Sequence, residues 1–451
     1  MSETDRDLPE GWKWMSLSDA AGKAQYGWTT KARRDGSVKL LRTTDITSGS
    51  VDWSLVPGCE TPPSDISKYE LHSGDIVVSR AGSVGFNYLL DDACPAGAVF
   101  ASYLMRLRPR DDVISSRYLK HYMNSGQYWA DVADQAVGIG MANLNGSKLG
   151  AMQVPVPPRR AQDAICAYLD YVSARTSLTR RHLASAKMII DRFRQSVLAA
   201  ACSGELTAQW RLSCGRSSAP DLNQRPSISH DSDDLDVPTE WQTFLMDELC
   251  TKITSGSRDW TQYYGRGAGT FVMAQNVRRG SIDWSYRQDV DPPLTDSARD
   301  RSQIRMGDLL VTIVGANTGD VGPVNEDRPQ HYVCQSVALM RPRNTAATPF
   351  LNLWFSSLRH GRKYLMECAY GAGRPHLSFA HLRNAPMALP SQEEQDEIIR
   401  RVAELEACAD DVLVRIDKAN SSLSDCASAT IKTAFSGRAT ELLPVAASKG
   451  D

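Results

Sequence analysis

The sequence predicts an α+β protein in which two tandem mixed α/β domains are joined by two long helices. We expect those helices to pair as an intramolecular antiparallel coiled coil, with a pseudo-two-fold axis relating the two copies. Three observations predict this fold: two apolar ladders with coiled-coil spacing, a repeat covering nearly the whole chain, and opposite net charges on the ladders. At 451 residues the chain is too long for one core and suits two domains of roughly 150 residues.

The apolar ladders step alternately by four and three residues, which is the spacing of a coiled-coil seam. The first runs from Ile165 to Ala200 and the second from Ile398 to Thr433, each position 233 residues after its counterpart (398 minus 165). Each ladder therefore predicts one long helix. The strongest seam positions are Ile165, Leu169, Val172, Leu183, Ile190, Phe193 and Val197 in the first ladder, and Ile398, Val402, Leu405, Val412, Ile416 and Leu423 in the second.

The two predicted helices differ in charge. Residues 158–204 contain eight Lys or Arg and three acidic residues, whereas residues 391–437 contain five and ten. Opposite net charge beside matching seams favours pairing of the two helices with each other rather than with copies of themselves. The alternative is that each helix only packs on its own domain.

Short segments of the first half return in the second half in the same order. LPEGW (8–12) returns as VPTEW (237–241), and SGDIVV (73–78) returns as MGDLLV (306–311). The period is far longer than that of a solenoid repeat, so each copy is a whole domain followed by a helix.

Proline-rich segments end the two domains, and a stretch rich in Ser, Asp, Pro and Arg separates the copies. The boundaries that we predict are 1–157 for the first domain, 158–204 for the first long helix, 205–236 for a linker, 237–390 for the second domain, 391–437 for the second long helix and 438–451 for a C-terminal tail.

No segment predicts a catalytic, cofactor-binding or metal-binding site. The eight histidines form no HExxH motif or paired metal spacing, and the glycine-rich segment 138–148 lacks the G-K-S/T ending of a phosphate-binding loop. Asp291-Pro292-Pro293-Leu294 resembles the amino-methyltransferase loop, but its fourth residue is not aromatic. Ten cysteines without a CxxC, and no apolar run of about 18 residues, lead us to expect a cytoplasmic protein without a signal peptide.

Polar loops occupy equivalent positions in the two copies. They share glycines but differ in polar residues, and Arg80 in the first copy corresponds to Ile313 in the second. Two domains that read different DNA sequences would differ in this way. The alternative is that these are ordinary polar surface loops. The predicted DNA-binding residues are Lys31, Arg33, Arg34, Arg42, Thr43, Thr44, Arg80, Ser83, Asn143, Asn145 and Lys148 in the first copy, and Arg258, Gln262, Tyr263, Arg266, Gln275, Asn276, Arg278, Asn317, Thr318, Arg374 and His376 in the second.

This layout resembles the DNA-specificity subunit of type I restriction-modification enzymes over almost the whole chain. The resemblance rests on the L/V-P-x-x-W opening, the G-D-I/L strand, the proline-rich exit into a helix with Gln162 or Gln395, and the helix endings AACSGELT (200–207) and AFSGRAT (434–440). The first copy departs from the family pattern because it lacks the glutamate that the second retains as Glu394.

The resemblance implies a non-catalytic subunit with two target-recognition domains that read a bipartite, asymmetric site in double-stranded DNA. It further implies that two methyltransferase subunits and two motor-nuclease subunits assemble on the chain, with S-adenosylmethionine and ATP bound by those partners and with no membrane partner. The alternatives are a specificity subunit of another phage-defence complex, a DNA methyltransferase using the Asp291 loop, and a protein-only scaffold.

The long helices are predicted to act as a ruler for the spacer between the two parts of the target. The 36 residues from Ile165 to Ala200 span about 54 Å at about 1.5 Å per residue. One heptad inserted into residues 165–200 alone should disrupt pairing, whereas matched insertions in both helices should lengthen the preferred spacer. Sequencing of methylated sites measures the spacer, and an unchanged spacer after matched insertions would contradict the ruler.

Overall fold

The computed structural model describes residues 8–135, 144–214, 235–256, 260–286, 288–292, 297–328, 330–371 and 373–436. The chain forms two compact units, of which unit 1 comprises residues 1–184 and 417–451 and unit 2 comprises residues 185–416. Each unit therefore contains one mixed domain and a part of each long helix. No helix in the described ranges is long and apolar enough to cross a membrane.

Each domain is built on a four-stranded antiparallel sheet with the same strand order. In unit 1 the order across the sheet is Gln25–Tyr26, Leu104–Leu107, Ile76–Ser79 and Asn87–Leu89. In unit 2 it is Cys250–Ser255, Val337–Pro342, Leu309–Thr312 and Val321–Pro323. The strands Ile76–Ser79 and Leu309–Thr312 are buried at every position, as expected for runs of Ile, Val and Leu packed on both faces.

A two-stranded pairing joins the beginning and the end of each domain. Lys13–Ser16 pairs with Gln153–Val156 in unit 1, and Gln242–Leu245 pairs with Pro386–Leu389 in unit 2. Because each long helix follows directly, this pairing fixes where the helix leaves its domain.

The other elements are short. Unit 1 also contains the strands Ala32–Arg33, Leu40–Leu41, Gly58–Cys59 and Val99–Phe100, and the helices Leu17–Ala21, Thr43–Ile46, Ile66–Tyr69, Ser116–Tyr122, Gly126–Gln135 and Gly146–Ala151. Unit 2 also contains the strands Tyr264–Val272, Val277–Arg278, Ser281–Ile282, Asp289–Val290 and His331–Val333, the helices Ala208–Cys214, Met246–Leu249, Ser297–Ser302, Thr348–Ser356, Gly361–Cys368 and Phe379–Arg383, and the 3-10 turns Glu205–Thr207, Trp260–Tyr263 and Thr345–Ala347.

In both domains the repeated G-D motif places a buried aspartate in an ion pair with an arginine. The glycine has a φ of 91° in the first copy and 88° in the second, which is the left-handed region that glycine adopts without strain. The buried carboxylate of Asp75 accepts hydrogen bonds from Arg108 Nε and Nη2 at 2.7 and 2.8 Å. Asp308 accepts the same two bonds from Arg341, both at 2.7 Å. The motif therefore holds neighbouring strands together in each domain.

The two long helices are Arg159–Cys202 and Gln392–Phe435, each of 44 residues. In unit 1, Arg180 Nη2 donates to Ser424 Oγ at 3.1 Å. In unit 2, Arg194 Nε lies 2.9 Å from Glu406 Oε2, and the same guanidinium contacts the Asp410 carboxylate.

These contacts and the cores described below show that the helices run antiparallel within each unit. The predicted fold class is confirmed, and the opposite charges meet across the pair in unit 2. Packing on its own domain is therefore only part of what each helix does.

The end of the second long helix is buried in the core of the first domain. The Phe435 ring lies 5.4 Å from the ring centres of Tyr118 and Tyr122, in edge-to-face contact with both. The same core contains Ile165 and Leu169 from the first turns of the first long helix.

Unit 2 repeats this arrangement with the helices exchanged. Val197, Ala201 and Cys202, at the end of the first long helix, lie in a core with Trp241 of the second domain and Ile398 of the second helix. Each domain core is therefore completed by the end of the helix that follows the other domain.

Two predicted seam positions are wrong as buried contacts. Phe193 is 38% exposed and Val412 is 40% exposed, whereas Ala409 and Ile416 are buried. A strict four-three pattern has a period of 3.5 residues, so an α-helix with about 3.6 residues per turn rotates away from it by about 20° per heptad. The buried seam positions are Ile165, Leu169, Val197, Ile398, Val402 and Ile416, and the half-buried ones are Val172, Leu183, Ile190, Leu405 and Leu423.

The beginning of the predicted 205–236 linker is folded, which corrects that prediction. The buried Glu394 carboxylate accepts hydrogen bonds from Thr207 Oγ1 at 2.7 Å and Trp241 Nε1 at 3.2 Å, and it contacts Arg211. These bonds hold the segment after the first helix against the second domain. Residues 215–234 of the predicted linker and residues 437–451, which include the predicted tail, lie outside the described residues.

His360 lies in the buried part of unit 2. Its Nδ1 is 3.0 Å from Ser357 Oγ, and its ring centre is 4.8 Å from that of Trp354. Burial lowers the pKa of His360 from its ordinary 6.5 to about 4. The fold therefore favours the neutral imidazole.

Replacing Phe435 with Ala should lower the free energy of unfolding by about 3–5 kcal/mol, because the change removes a buried ring and leaves a cavity. Phe193→Ala is the matched control, since Phe193 lies on the other long helix but is substantially exposed. Urea unfolding of the full chain measures both losses. Equal losses would show that the Phe435 contact does not anchor the helix.

Acid should destabilise the second domain through His360. Between about pH 6.5 and pH 4 the unfolded chain binds a proton at this residue that the folded chain does not, so stability falls as the pH falls through this window. His360→Asn should reduce that slope. Urea unfolding of both proteins at a series of pH values measures it, and identical slopes would contradict the assignment.

Candidate nucleic-acid interface

Three polar segments of unit 1 meet around Arg80. Its backbone N–H donates to the Tyr103 carbonyl at 2.9 Å, and its carbonyl accepts from the Leu144 N–H at 3.0 Å. Its guanidinium carbon lies 4.7 Å from the ring centre of Tyr26, whose hydroxyl accepts from the Gly146 N–H at 2.7 Å. The structure thus brings together loops that are more than 60 residues apart in sequence (144 minus 80).

Asn145 and Lys148 border this cluster at the helix Gly146–Ala151. The exposed Asn145 caps the helix, because its Oδ1 accepts from the Lys148 N–H at 2.8 Å. Lys148 Nζ donates to the Gln135 carbonyl at 2.6 Å. Ser83 is exposed on the neighbouring loop. The Lys148 ammonium and the Asn145 Oδ1 are therefore already engaged by hydrogen bonds within the protein.

The basic segment 31–34 carries the exposed side chains of Lys31, Arg33 and Arg34. Its strand Ala32–Arg33 pairs with Gly58–Cys59, and Trp28 Nε1 nearby donates to the Thr61 carbonyl at 2.8 Å. The basic segment therefore presents three positive charges to solvent, where they can contact phosphates.

Arg42 is less available for contact with DNA than an unpaired arginine would be. Its Nη2 and Nε lie 2.7 and 3.0 Å from the Asp45 carboxylate, which raises the pKa of Arg42. Thr43 is half-buried and Thr44 is exposed in the same short helix.

Unit 2 repeats the backbone arrangement around Ile313, the counterpart of Arg80. The Leu377 N–H donates to the Ile313 carbonyl at 2.9 Å, as the Leu144 N–H does to Arg80. The ring of His376 stacks on Tyr370 with their centres 5.9 Å apart, and Tyr370 is 58% exposed. Arg374 is exposed on the same loop, and Asn317 is half-buried on the facing one.

A second polar region of unit 2 surrounds the hairpin Val277–Arg278 with Ser281–Ile282. Gln275 and Arg278 are exposed there, and Gln262 and Tyr263 lie on the turn Trp260–Tyr263. Burial and the nearby Arg362 guanidinium lower the pKa of Arg279, against the effect of Asp320. Burial is the larger of the two causes that lower the pKa, and the charge of Arg362 adds to it.

Two predicted contacts are corrected because their side chains are buried and used by the fold. Asn276 accepts from the Met273 N–H at 2.9 Å and donates to the Asp283 and Tyr286 carbonyls, each at 2.8 Å. Thr318 Oγ1 donates to the carbonyls of Gly315 and Pro375 at 2.7 and 3.0 Å. Both residues shape loops rather than face a ligand.

Three further predicted residues cannot be placed. Asn143 and Arg258 lie outside the described residues, and only the backbone of Arg266 is described. At the Asp291 loop, the Asp291 N–H donates to the Tyr263 carbonyl at 3.4 Å, and residues 293–296 lie outside the description.

Four aromatic residues of these surfaces were not among the predicted contacts. Tyr26, Tyr103 and Tyr370 are exposed, and Trp284 carries the Arg328 guanidinium 4.1 Å from the centre of its ring. The segment SVDWS (50–54) returns as SIDWS (281–285), and it contained a signal for Trp284, since a tryptophan between polar residues is seldom fully buried. Nothing in the local sequence marked the others.

The surfaces consist of hydrogen-bond donors, acceptors and aromatic rings. Among the described residues, no group of three or more His, Cys, Asp or Glu side chains could hold a metal ion. All ten cysteines are free thiols. This inventory suits binding of bases and phosphates.

Known proteins resemble this chain over most of its length. Residues 9–188 match the type I restriction modification DNA specificity domain. The chain is 26% identical to the type I restriction enzyme EcoBI specificity subunit of Escherichia coli, over 95% of this chain and 86% of that one. It is 24% identical to the EcoKI specificity subunit of Escherichia coli strain K12, over 96% and 90%. The chain is therefore similar to type I restriction enzyme specificity subunits over most of its length, which supports the resemblance seen in the sequence.

A solved structure shares the fold of this chain. The fold matches a chain from a study of complex assembly and conformational transition of the type I R-M system, with a TM-score of 0.69. The two chains are 17% identical, and the match covers 95% of this chain and 98% of that one. The shared fold extends over nearly the whole of both chains.

Proposed function

We propose that this chain is the DNA-specificity subunit of a type I restriction-modification complex and that it reads a bipartite, asymmetric target. One observation carries the proposal. The two domains close their equivalent loops with the same backbone bond, to Arg80 in one and Ile313 in the other, yet present different side chains around it. A shared frame with different side chains is what two readers of different sequences need.

Each domain contributes one set of contacts. In the first domain these are Tyr26, Arg80 and Asn145, with Lys31, Arg33 and Arg34 of the basic segment as phosphate contacts. In the second domain they are Gln275, Arg278, Asn317, Arg374 and His376. Arg, Gln and Asn side chains offer the paired donors and acceptors that distinguish bases in the major groove.

The near-zero net charge of the chain supports the proposal that a few local groups select the DNA sequence. The chain has 51 basic and 53 acidic residues, so general attraction to phosphates is weak. Tight binding then requires partners that add their own contacts on the same duplex. We propose that methyltransferase and restriction subunits, two of each, supply them and carry S-adenosylmethionine and ATP.

The same assignment makes this chain the non-catalytic member of the complex. It selects the site, and its partners perform methylation and cleavage, so a second copy of either activity is not needed here. We propose that it works in the cytoplasm, where its DNA target and reduced cysteines are both found.

The test is methylation of a randomised DNA library by the chain assembled with the methyltransferase subunits of its own host. Sequencing of the methylated DNA should return one motif with two specified parts and an unspecified spacer. The same methyltransferase subunits without the chain are the control and should return no motif. A library methylated without sequence preference by the full assembly would refute the proposed function.

A further inference from the structure

The sheet register identifies which residues of the two domains are equivalent at the loop cluster. Tyr26 pairs with Met105 in unit 1, and Ser255 pairs with Ala338 in unit 2, where position 338 lies 233 after position 105 (338 minus 105). Ser255 is therefore the counterpart of Tyr26.

Position 80 is matched in the same way. Ser79 pairs with Leu104, and Thr312 pairs with Val337, so the residues that follow these strand ends, Arg80 and Ile313, are equivalent. Both members of the stacked pair in the first domain are thus replaced in the second.

Arg80 is held in place by its surroundings. Its backbone is hydrogen-bonded on both sides, and the ring beneath its guanidinium is fixed by the Gly146 N–H. Stacking uses the face of the guanidinium and leaves its N–H edge free for acceptors in the same plane. Within the described part of the chain, no side-chain hydrogen bond or ion pair occupies that edge.

The equivalent position of the second domain has no such group. Ile313 is only 7% exposed and belongs to the core of that domain. Ser255 is too short to carry a stacked guanidinium. The difference between the domains is therefore one of chemistry as well as of sequence.

We propose that Arg80, stacked on Tyr26, reads one guanine in the part of the target bound by the first domain, donating two hydrogen bonds to its O6 and N7. The second domain makes no such contact at the equivalent position. This inference rests on the proposed function. Guanine fits because O6 and N7 accept in one plane at the spacing of the guanidinium fork.

A phosphate is the competing ligand for Arg80, and lysine separates the two. A phosphate contact depends mainly on charge, so Lys would retain most of it, whereas Lys lacks the planar fork that reads guanine. Arg160, an exposed arginine on the first long helix, provides the matched control.

The experiment compares the assembled methyltransferase complex containing the unaltered chain, Arg80→Ala, Arg80→Lys or Arg160→Ala on the randomised library. Both Arg80 variants should lose preference for guanine at one position, by about tenfold to a hundredfold, while the other part of the motif is unchanged. Arg160→Ala should leave the motif intact. Thermal unfolding of each variant confirms that the fold is retained.

Tyr26 provides an independent arm. Tyr26→Phe keeps the ring under the guanidinium but loses the bond to the Gly146 N–H, whereas Tyr26→Leu loses the ring as well. Tyr26→Leu should therefore weaken the guanine preference more than Tyr26→Phe. If Arg80→Lys keeps the motif while Arg80→Ala lowers methylation of all sequences equally, Arg80 binds phosphate and the inference is wrong. It is also wrong if both Arg80 variants keep the complete motif. No motif with the unaltered chain would instead reject the proposed function.

Discussion

The burial of Phe435 between Tyr118 and Tyr122 is the contact on which the arrangement of unit 1 depends. A helix of 44 residues whose seam includes small and polar residues, such as Ala409, Ala419 and Thr430, would pair poorly by itself. Burying its last turn in a domain core fixes its position along its partner helix and sets the register of the pair. Cys202 and Val197 do the same in unit 2. The helix pair is thus held by its ends more than by its middle.

This anchoring makes folding of each unit a long-range event. The core of the first domain includes residues that are more than 300 positions apart in the chain, as Tyr118 and Phe435 are (435 minus 118). Contacts so distant in sequence close a large loop, which slows folding. A further consequence is that neither domain core is complete until the second half of the chain has been synthesised.

Periodicity and repetition predicted most of the fold, because seam spacing and duplicated motifs are properties of the chain alone. The helix ends at Cys202 and Phe435 were recognisable in the sequence only as a repeated motif. Their burial could not be predicted, because it depends on a domain distant in sequence. The candidate interface was predicted less well. Asn276 and Thr318 have the right chemistry but are buried, and Tyr26 was overlooked because stacking under Arg80 requires three loops to meet.

The backbone bond between positions 80 and 144 is independent of the side chain at position 80. In the first domain that side chain is outside the core, so most substitutions there leave the folded state intact and are open to selection on DNA preference alone. Ile313, in contrast, is packed inside the second domain, where a change of size or polarity costs stability. After the duplication, position 80 is therefore free to change with DNA preference, whereas position 313 is constrained by the stability of its domain.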